Sequence, residues 1–345
     1  MTLRSILALT FTVEQLRQHY QLDTEAILAR HGLQQAHLDA NATISQADEL
    51  AILAEFADQI QHDPLAAITI GSTFGLSSYG AFAMMLMSCS SVYEAFALGI
   101  KYQQLSYLFS ELDYQLDGDT VLLKLKPYPL PDHLQRFIVD RDVAGTWHFL
   151  NIMQTMLGRN LKPLAIRMPY QQPAEAAAYR EKFQCPVEFG CDEAAFVLPL
   201  EVLRLPFPGA NTTALELYRG QCEEIIKQRS QVRTEALSER LKQYLTMFSQ
   251  RFPAIKDCAA TFGLSERQFR RLLSDEGQSF QQILDNVRAE KACHLLRHSS
   301  HSVEKIALLL GYSEAAGFIH AFKKWQNITP AQYRKQTAEK TEPGA

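Results

Sequence analysis

Residues 302–334 read SVEKIALLLGYSEAAGFIHAFKKWQNITPAQYR, and this stretch permits very few folds. Ser302 is a helix N-cap residue type, and Val303, Ile306, Ala307 and Leu310 recur behind it at helical spacing. Gly311 stands where a sharply stopping helix needs left-handed φ. Ser313 is placed to cap a second helix, which turns Phe318, Ala321, Phe322 and Trp325 inward and His320, Lys323 and Lys324 outward. Thr329-Pro330 starts a third, a capping residue with proline at the first helical position. Helix, Gly turn and a second helix with a cationic outer face is the helix-turn-helix arrangement, whose second helix can lie in a DNA major groove.

The pattern occurs twice. Gly263-Leu264-Ser265 anticipates Gly311-Tyr312-Ser313 by 48 residues, within AIKDCAATFGLSERQFRRLLSDE at 254–276. Phe269, Leu272 and Leu273 take one face of the helix after that turn. Arg267, Arg270, Arg271 and Ser274 take the other at i, i+3, i+4 and i+7, with Gln268 beside them. Arginine reads guanine O6/N7 and also grips phosphate, so this face suits a recognition helix. In the second unit the outward positions Ala315, Ala316, Ile319 and His320 can touch thymine methyls but supply few hydrogen bonds. Base specificity is therefore expected mainly from the first unit, with backbone contacts from Lys323 and Lys324 in the second. Residues 280–297 are long enough for one helix joining the two.

Gly311-Tyr312-Ser313, Phe318, Phe322-Lys323, Thr329-Pro330 and Tyr333-Arg334 together resemble the C-terminal signature of AraC/XylS-type transcription regulators. Two positions depart: Asn327 stands where the family usually has Gly, and His320 where it often has Arg. The resemblance implies that Arg267, Arg270 and Arg271 fall where related regulators contact bases. It also implies recognition helices at 265–276 and 313–326, held about 34 Å apart in successive major grooves. Further upstream, Pro169, Pro173, Tyr179, Phe183, Pro186-Val187, Phe189, Phe196, Leu198-Pro199, Leu203 and Pro206 resemble the family branch with an α+β, arabinose-binding-type sensing domain. That implies double-stranded DNA, a small-molecule effector, a second copy of the chain and, for an activator, RNA polymerase as partners.

Charge agrees with two functions in one chain. The net −4 divides into about +5 from residue 233 onward, 17 Lys+Arg against 12 Asp+Glu, and about −9 before it. A basic module joined to an acidic one fits nucleic-acid binding confined to the C-terminal third. The six cysteines are scattered without a C-x-x-C pair, which reads as reduced thiols in a cytoplasmic protein. Residues 1–13 are too short for a signal peptide, and serines, Tyr79, Tyr93 and Glu94 interrupt the most apolar run, 76–100, so no membrane partner is expected. No P-loop, G-x-G-x-x-G, G-x-S-x-G, H-E-x-x-H or Cys/His ligand pattern is present. No enzyme, cofactor or metal is expected.

In the N-terminal part, helical spacing covers much of 14–110, with Ser91 capping a helix from Val92 to Leu108. Leu112, Tyr114 and Leu116, then Val121, Leu123 and Leu125, alternate about Asp117-Gly118-Asp119, a strong hairpin signal. Pro131–Leu157 returns to helix, short strands follow at 164–168, 187–189 and 195–198, and a helix runs from Asn211. The expected fold is a two-domain one: an α+β sensing and dimerisation domain with a small antiparallel sheet (1–230), then an all-α domain with two helix-turn-helix units (233–336) and a disordered tail (337–345). Tyr79, Phe82, Met85, Tyr93 and Phe96 are candidates to line an adaptable apolar cavity, with Arg136 and Arg141 as clamps for an anionic headgroup. A fatty acid fits that set better than a sugar. The same regulator answering to an amino acid, a DNA-binding protein with no effector, and an enzyme recruited to DNA are the competing readings.

Overall fold

Two units make up the protein, residues 1–232 and 233–345, in a computed structural model that describes residues 3–34, 42–159, 162–231 and 236–339. The first unit opens with β1 (Leu3–Ser5), α1 (Leu7–Tyr20) and α2 (Thr24–Arg30), then β2 (Thr43–Ser45), which pairs antiparallel with β1. Helices α3 (Gln46–Gln59), α4 (Ala66–Gly71), α5 (Leu76–Tyr79), α6 (Ala81–Met87) and α7 (Val92–Lys101) follow. Ser91 caps α7 as its position suggests, accepting from the Glu94 N–H at 3.3 Å. The helix stops at Lys101 rather than continuing to Leu108, because a 3-10 turn at Gln103–Leu105 redirects the chain.

The alternating run becomes the hairpin β3 (Ser110–Asp117) and β4 (Thr120–Pro127), with Gly118 at φ 58° in its two-residue turn. After the long α8 (Asp132–Leu157) come β5 (Ala165–Met168), α9 (Ala176–Phe183), β6 (Val187–Phe189), β7 (Ala194–Pro199) and α10 (Thr212–Gln231). The five strands form one sheet in the order β3-β4-β7-β5-β6, antiparallel except for the β5–β6 pair. One face of that sheet, through Leu123, Ile166, Phe196 and Leu198, packs on α8 and its neighbours in the main core. Trp147 on α8 donates its indole N–H to the Phe183 carbonyl at 2.8 Å and ties α9 to that core. On α4, Gly71 lies so close to α8 that a Cβ there would sit 2.2 Å from the Arg141 carbonyl oxygen.

The second unit is all helical: α11 (Leu237–Thr246), α12 (Ile255–Thr261), α13 (Glu266–Asp275), α14 (Phe280–His298), α15 (Val303–Leu309), α16 (Ala315–Gln326) and α17 (Pro330–Glu339). Helix α14 is the single connector between the two helix pairs, opened by a Ser279/Gln282 capping box. Asn327 ends α16 at φ 60°, the left-handed role that Gly would otherwise take. Two expectations need correction. Ser313 does not cap α16: Glu314 is the N-cap residue, and its side chain makes no capping hydrogen bond. Residues 337–339 belong to α17 rather than to a disordered tail, while 340–345 lie outside the described residues.

Candidate nucleic-acid interface and effector cavity

The first helix pair is built around its turn. Gly263 adopts φ 66°, and the N–H groups of Gly263 and Leu264 each donate at 2.9 Å to the carbonyls of Ala260 and Ala259 at the end of α12. Ser265 and Gln268 then cap α13 reciprocally: Ser265 Oγ accepts from the Gln268 N–H at 3.3 Å, and Gln268 Oε1 accepts from the Ser265 N–H at 3.1 Å. Phe269 and Leu273 anchor the helix inward, with Phe269 edge-on to Phe262 at 5.5 Å between ring centres. Arg267, Gln268, Arg270, Arg271 and Ser274 are left exposed on the far side. They are not equivalent. Arg270 donates to Glu266 Oε1 from Nε (2.9 Å) and Nη2 (2.7 Å). Gln268 gives its oxygen to the cap and keeps its amide N–H groups. Arg267 and Arg271 have no partner among the described residues.

The second pair has the same outline and different contents. Gly311 adopts φ 79°, and the Tyr312 N–H donates to the Ala307 carbonyl at 2.9 Å. Here the turn is also pinned from outside: the Gln250 N–H donates to the Leu309 carbonyl at 2.8 Å, and a Cβ on Gly311 would stand 2.7 Å from the Gln250 oxygen. Arg288 of the connector α14 lies between two rings, 5.0 Å from the centre of Phe252 and 4.9 Å from that of Tyr312. Phe318 and Phe322 are fully buried, while Ala316, His320, Lys323 and Lys324 are exposed and Ala315 is half-buried. The outer face of α16 therefore offers methyl groups and two lysines, and no fork of guanidinium donors.

In the first unit, α5, α6, α7, the β3–β4 hairpin and α8 line a cavity of about 80 Å³ with a nearly all-apolar wall. Tyr79, Phe82 and Phe96 line it; Met85, Tyr93, Arg136 and Arg141 do not. Met85 is packed into the surrounding core, and Tyr93 is 53% exposed on α7. Arg141 is wholly buried: its Nη1 donates to Asp142 Oδ1 at 2.9 Å and to the Tyr107 carbonyl at 3.2 Å, under the rings of Phe74, Tyr107 and Phe109. Asp142 in turn accepts from the Phe109 N–H and the Ser110 hydroxyl, both at 2.8 Å, so this ion pair fixes the hairpin to α8. Arg136 faces Asp140 at 3.6 Å and Glu175 at 3.7 Å, and donates to the Tyr179 hydroxyl at 3.1 Å. Burial lifts the Asp140 carboxyl to about 6, with the hydroxyls of Tyr170 and Tyr179 and Arg136 opposing that rise. Neither arginine lines the cavity, and each has a carboxylate partner one to four residues away.

Sequence reasoning missed Thr146, Phe149, Leu150 and Met153, which α8 turns into the cavity. Their spacing along α8 was visible, but the same spacing serves any core helix. Thr146 Oγ1 is buried there without a hydrogen-bond partner. Among the described residues no helix is long and apolar enough to cross a membrane, and no cluster of His, Cys, Asp and Glu could hold a metal ion.

Comparison with known proteins accounts for both halves. Residues 22–207, more than half of the chain, match the model of the arabinose-binding N-terminal domain of AraC transcription regulators, and residues 258–336 match a helix-turn-helix domain. An uncharacterised HTH-type transcriptional regulator of Mycobacterium tuberculosis is 28% identical over 322 residues, 91% of each chain. The ornithine utilization regulator of Pseudomonas aeruginosa is 28% identical over 274 residues, 79% of each chain. Among solved structures, the transcriptional regulator CdpR from Pseudomonas aeruginosa is 24% identical with a TM-score of 0.46, over 91% of this chain and 99% of that one. The chain belongs to the AraC-type transcription regulators: it is a DNA-binding protein and not an enzyme, with an arabinose-binding-type sensing domain ahead of its helix-turn-helix domain.

Proposed function

We propose that the protein binds a specific operator through α13 and α16, reads bases chiefly with α13, and is controlled by a small apolar or amphipathic metabolite of the fatty-acid type. The observation that carries the DNA reading is the pair of exposed guanidinium groups of Arg267 and Arg271 on a capped helix, with no partner among the described residues. Such groups can reach guanine O6/N7 without first breaking an ion pair, whereas Arg270 must exchange Glu266 for phosphate or base. Lys323 and Lys324 add phosphate contacts, and Ala315, Ala316 and His320 add shape fit. The apolar cavity supports the effector class: it has no charged lining group and would leave a sugar's hydroxyls unpaired.

The test is to select an operator from random duplex DNA with the purified full chain, then titrate it with and without decanoate, and separately with ornithine. Tight salt-sensitive binding altered by decanoate alone supports the proposal. No preference for any duplex sequence would end the operator reading, and indifference to every apolar ligand would end the effector reading.

A polar effector is favoured by a different feature. A groove of about 610 Å³ between α8 and α9 carries His148, Asn151, Glu181 and Lys182, groups that suit a zwitterion, and one relative is named as an ornithine utilization regulator. An ornithine response in the same titration would select that groove. Homodimerisation through the first unit has slighter support: Leu217 on α10 is 58% exposed, while Leu215 and Ile226 pack into the core.

A further inference from the structure

A second hollow opens beside the apolar cavity and differs from it in chemistry. It measures about 400 Å³ and lies between β1, the start of α6 and the last turns of α10. Tyr79 and Phe82 line both spaces and form a wall common to the two. On its other sides the hollow carries Arg229, Ser78 and Gln228, with Leu105 and Ile225 as apolar surface.

Arg229 is the unusual member. It is half-buried, and no hydrogen bond or ion pair engages it among the described residues. The charge that burial brings near it is another cation, Arg4, whose own Nε is taken by Glu49 at 2.6 Å. Burial first, and Arg4 second, push the Arg229 pKa below its ordinary value. A guanidinium withdrawn from water with no counter-charge among the described residues is unfavourable, and a bound anion is the direct remedy. Ser78 supplies an independent sign of a missing partner, since its Oγ is shielded from solvent and has no hydrogen bond.

We propose that this hollow holds the acid end of an amphipathic carboxylate, with the Arg229 guanidinium and Ser78 hydroxyl on the headgroup and the apolar chain running past Tyr79 and Phe82 into the inner cavity. The inference rests on the effector reading above and assigns the headgroup to a residue that reading did not use. One guanidinium matches a singly charged carboxylate in a forked pair; a phosphate dianion would call for a second cation. The inner cavity, at about 80 Å³, is roughly half the size of an engineered apolar cavity that accepts benzene, so only the tail's last few carbons fit there. A medium-length chain is therefore favoured over a long one. Arg229 lies in the last turn of α10, the final element of the first unit, so headgroup binding acts on the segment from which the chain passes to the DNA-binding unit.

The experiment is calorimetric titration of the full-length protein, below micellar concentrations, with decanoate and with 1-decanol as its uncharged counterpart. Wild type should bind decanoate more tightly. Arg229→Gln should weaken decanoate by about tenfold or more while leaving decanol unchanged, and Arg229→Lys should fall between. Removing a cation with no partner among the described residues should not lower the melting temperature of the ligand-free protein, so decanol binding and the melt together report that the variant is folded. Decanoate binding unchanged in Arg229→Gln, or equal binding of decanoate and decanol by wild type, overturns the inference and leaves the apolar cavity intact as the effector site. Failure of both ligands to bind wild type removes the effector reading as well.

Discussion

The two helix-turn-helix units share a Gly turn 48 residues apart, yet they divide stability and recognition differently. In the first, order comes from within the helix: Ser265 and Gln268 cap α13, and its outer face is free to carry three arginines. In the second, α16 has no side-chain cap, and order comes from neighbours: Gln250 against the turn, and Arg288 between Phe252 and Tyr312. One helix is ordered locally and specialised for polar contacts; the other is ordered by packing and presents methyl groups and lysines.

The sharpest way to break this comparison is the same substitution at both turns. Gly311→Ala combines a positive φ with a collision against the Gln250 carbonyl and should destabilise the full chain by about 3 kcal/mol in urea unfolding. Gly263→Ala, with open space around its Cβ, should lose only about 1 kcal/mol, the conformational part. Equal losses would show that the Gln250 contact contributes nothing.

Next in size is recognition. Arg271→Ala should lose about 1–3 kcal/mol on the selected operator, focused on one base pair, and much less on random duplex. A uniform loss would reassign Arg271 to the phosphate backbone. The caps come next: Ser265→Ala should reduce stability by about 1 kcal/mol, while Ser313→Ala, which removes no cap, should stay within about 0.5 kcal/mol of wild type. The smallest effect is expected from Lys323→Ala, which should weaken all duplexes alike and flatten the slope of log K against log salt by about 1.

What the sequence disclosed follows the range of the forces involved. The β3–β4 hairpin and the two Gly turns were legible because period-two alternation and left-handed glycines are set by adjacent residues. The β1–β2 ribbon was not, since three-residue strands carry too little alternation and pair Leu3 with Ser45 across more than forty positions. The same limit governed charge. In sequence Arg136 and Arg141 resemble free cations, but in the fold they pair with Asp140 and Asp142, whereas Arg229 has no partner among the described residues. Whether a cation has a partner is a three-dimensional fact.

The stacking of Arg288 on Phe252 and Tyr312 has a consequence for promoters. A connector held this way makes the DNA-binding unit a ruler of fixed length. Inserting one base pair between the two contacted grooves turns the second by about a tenth of a revolution, which a rigid gauge cannot follow. On the proposed two-groove reading, operators of this regulator should be graded by spacing alone, with every touched base unchanged, and binding to spacer variants of the selected operator checks this.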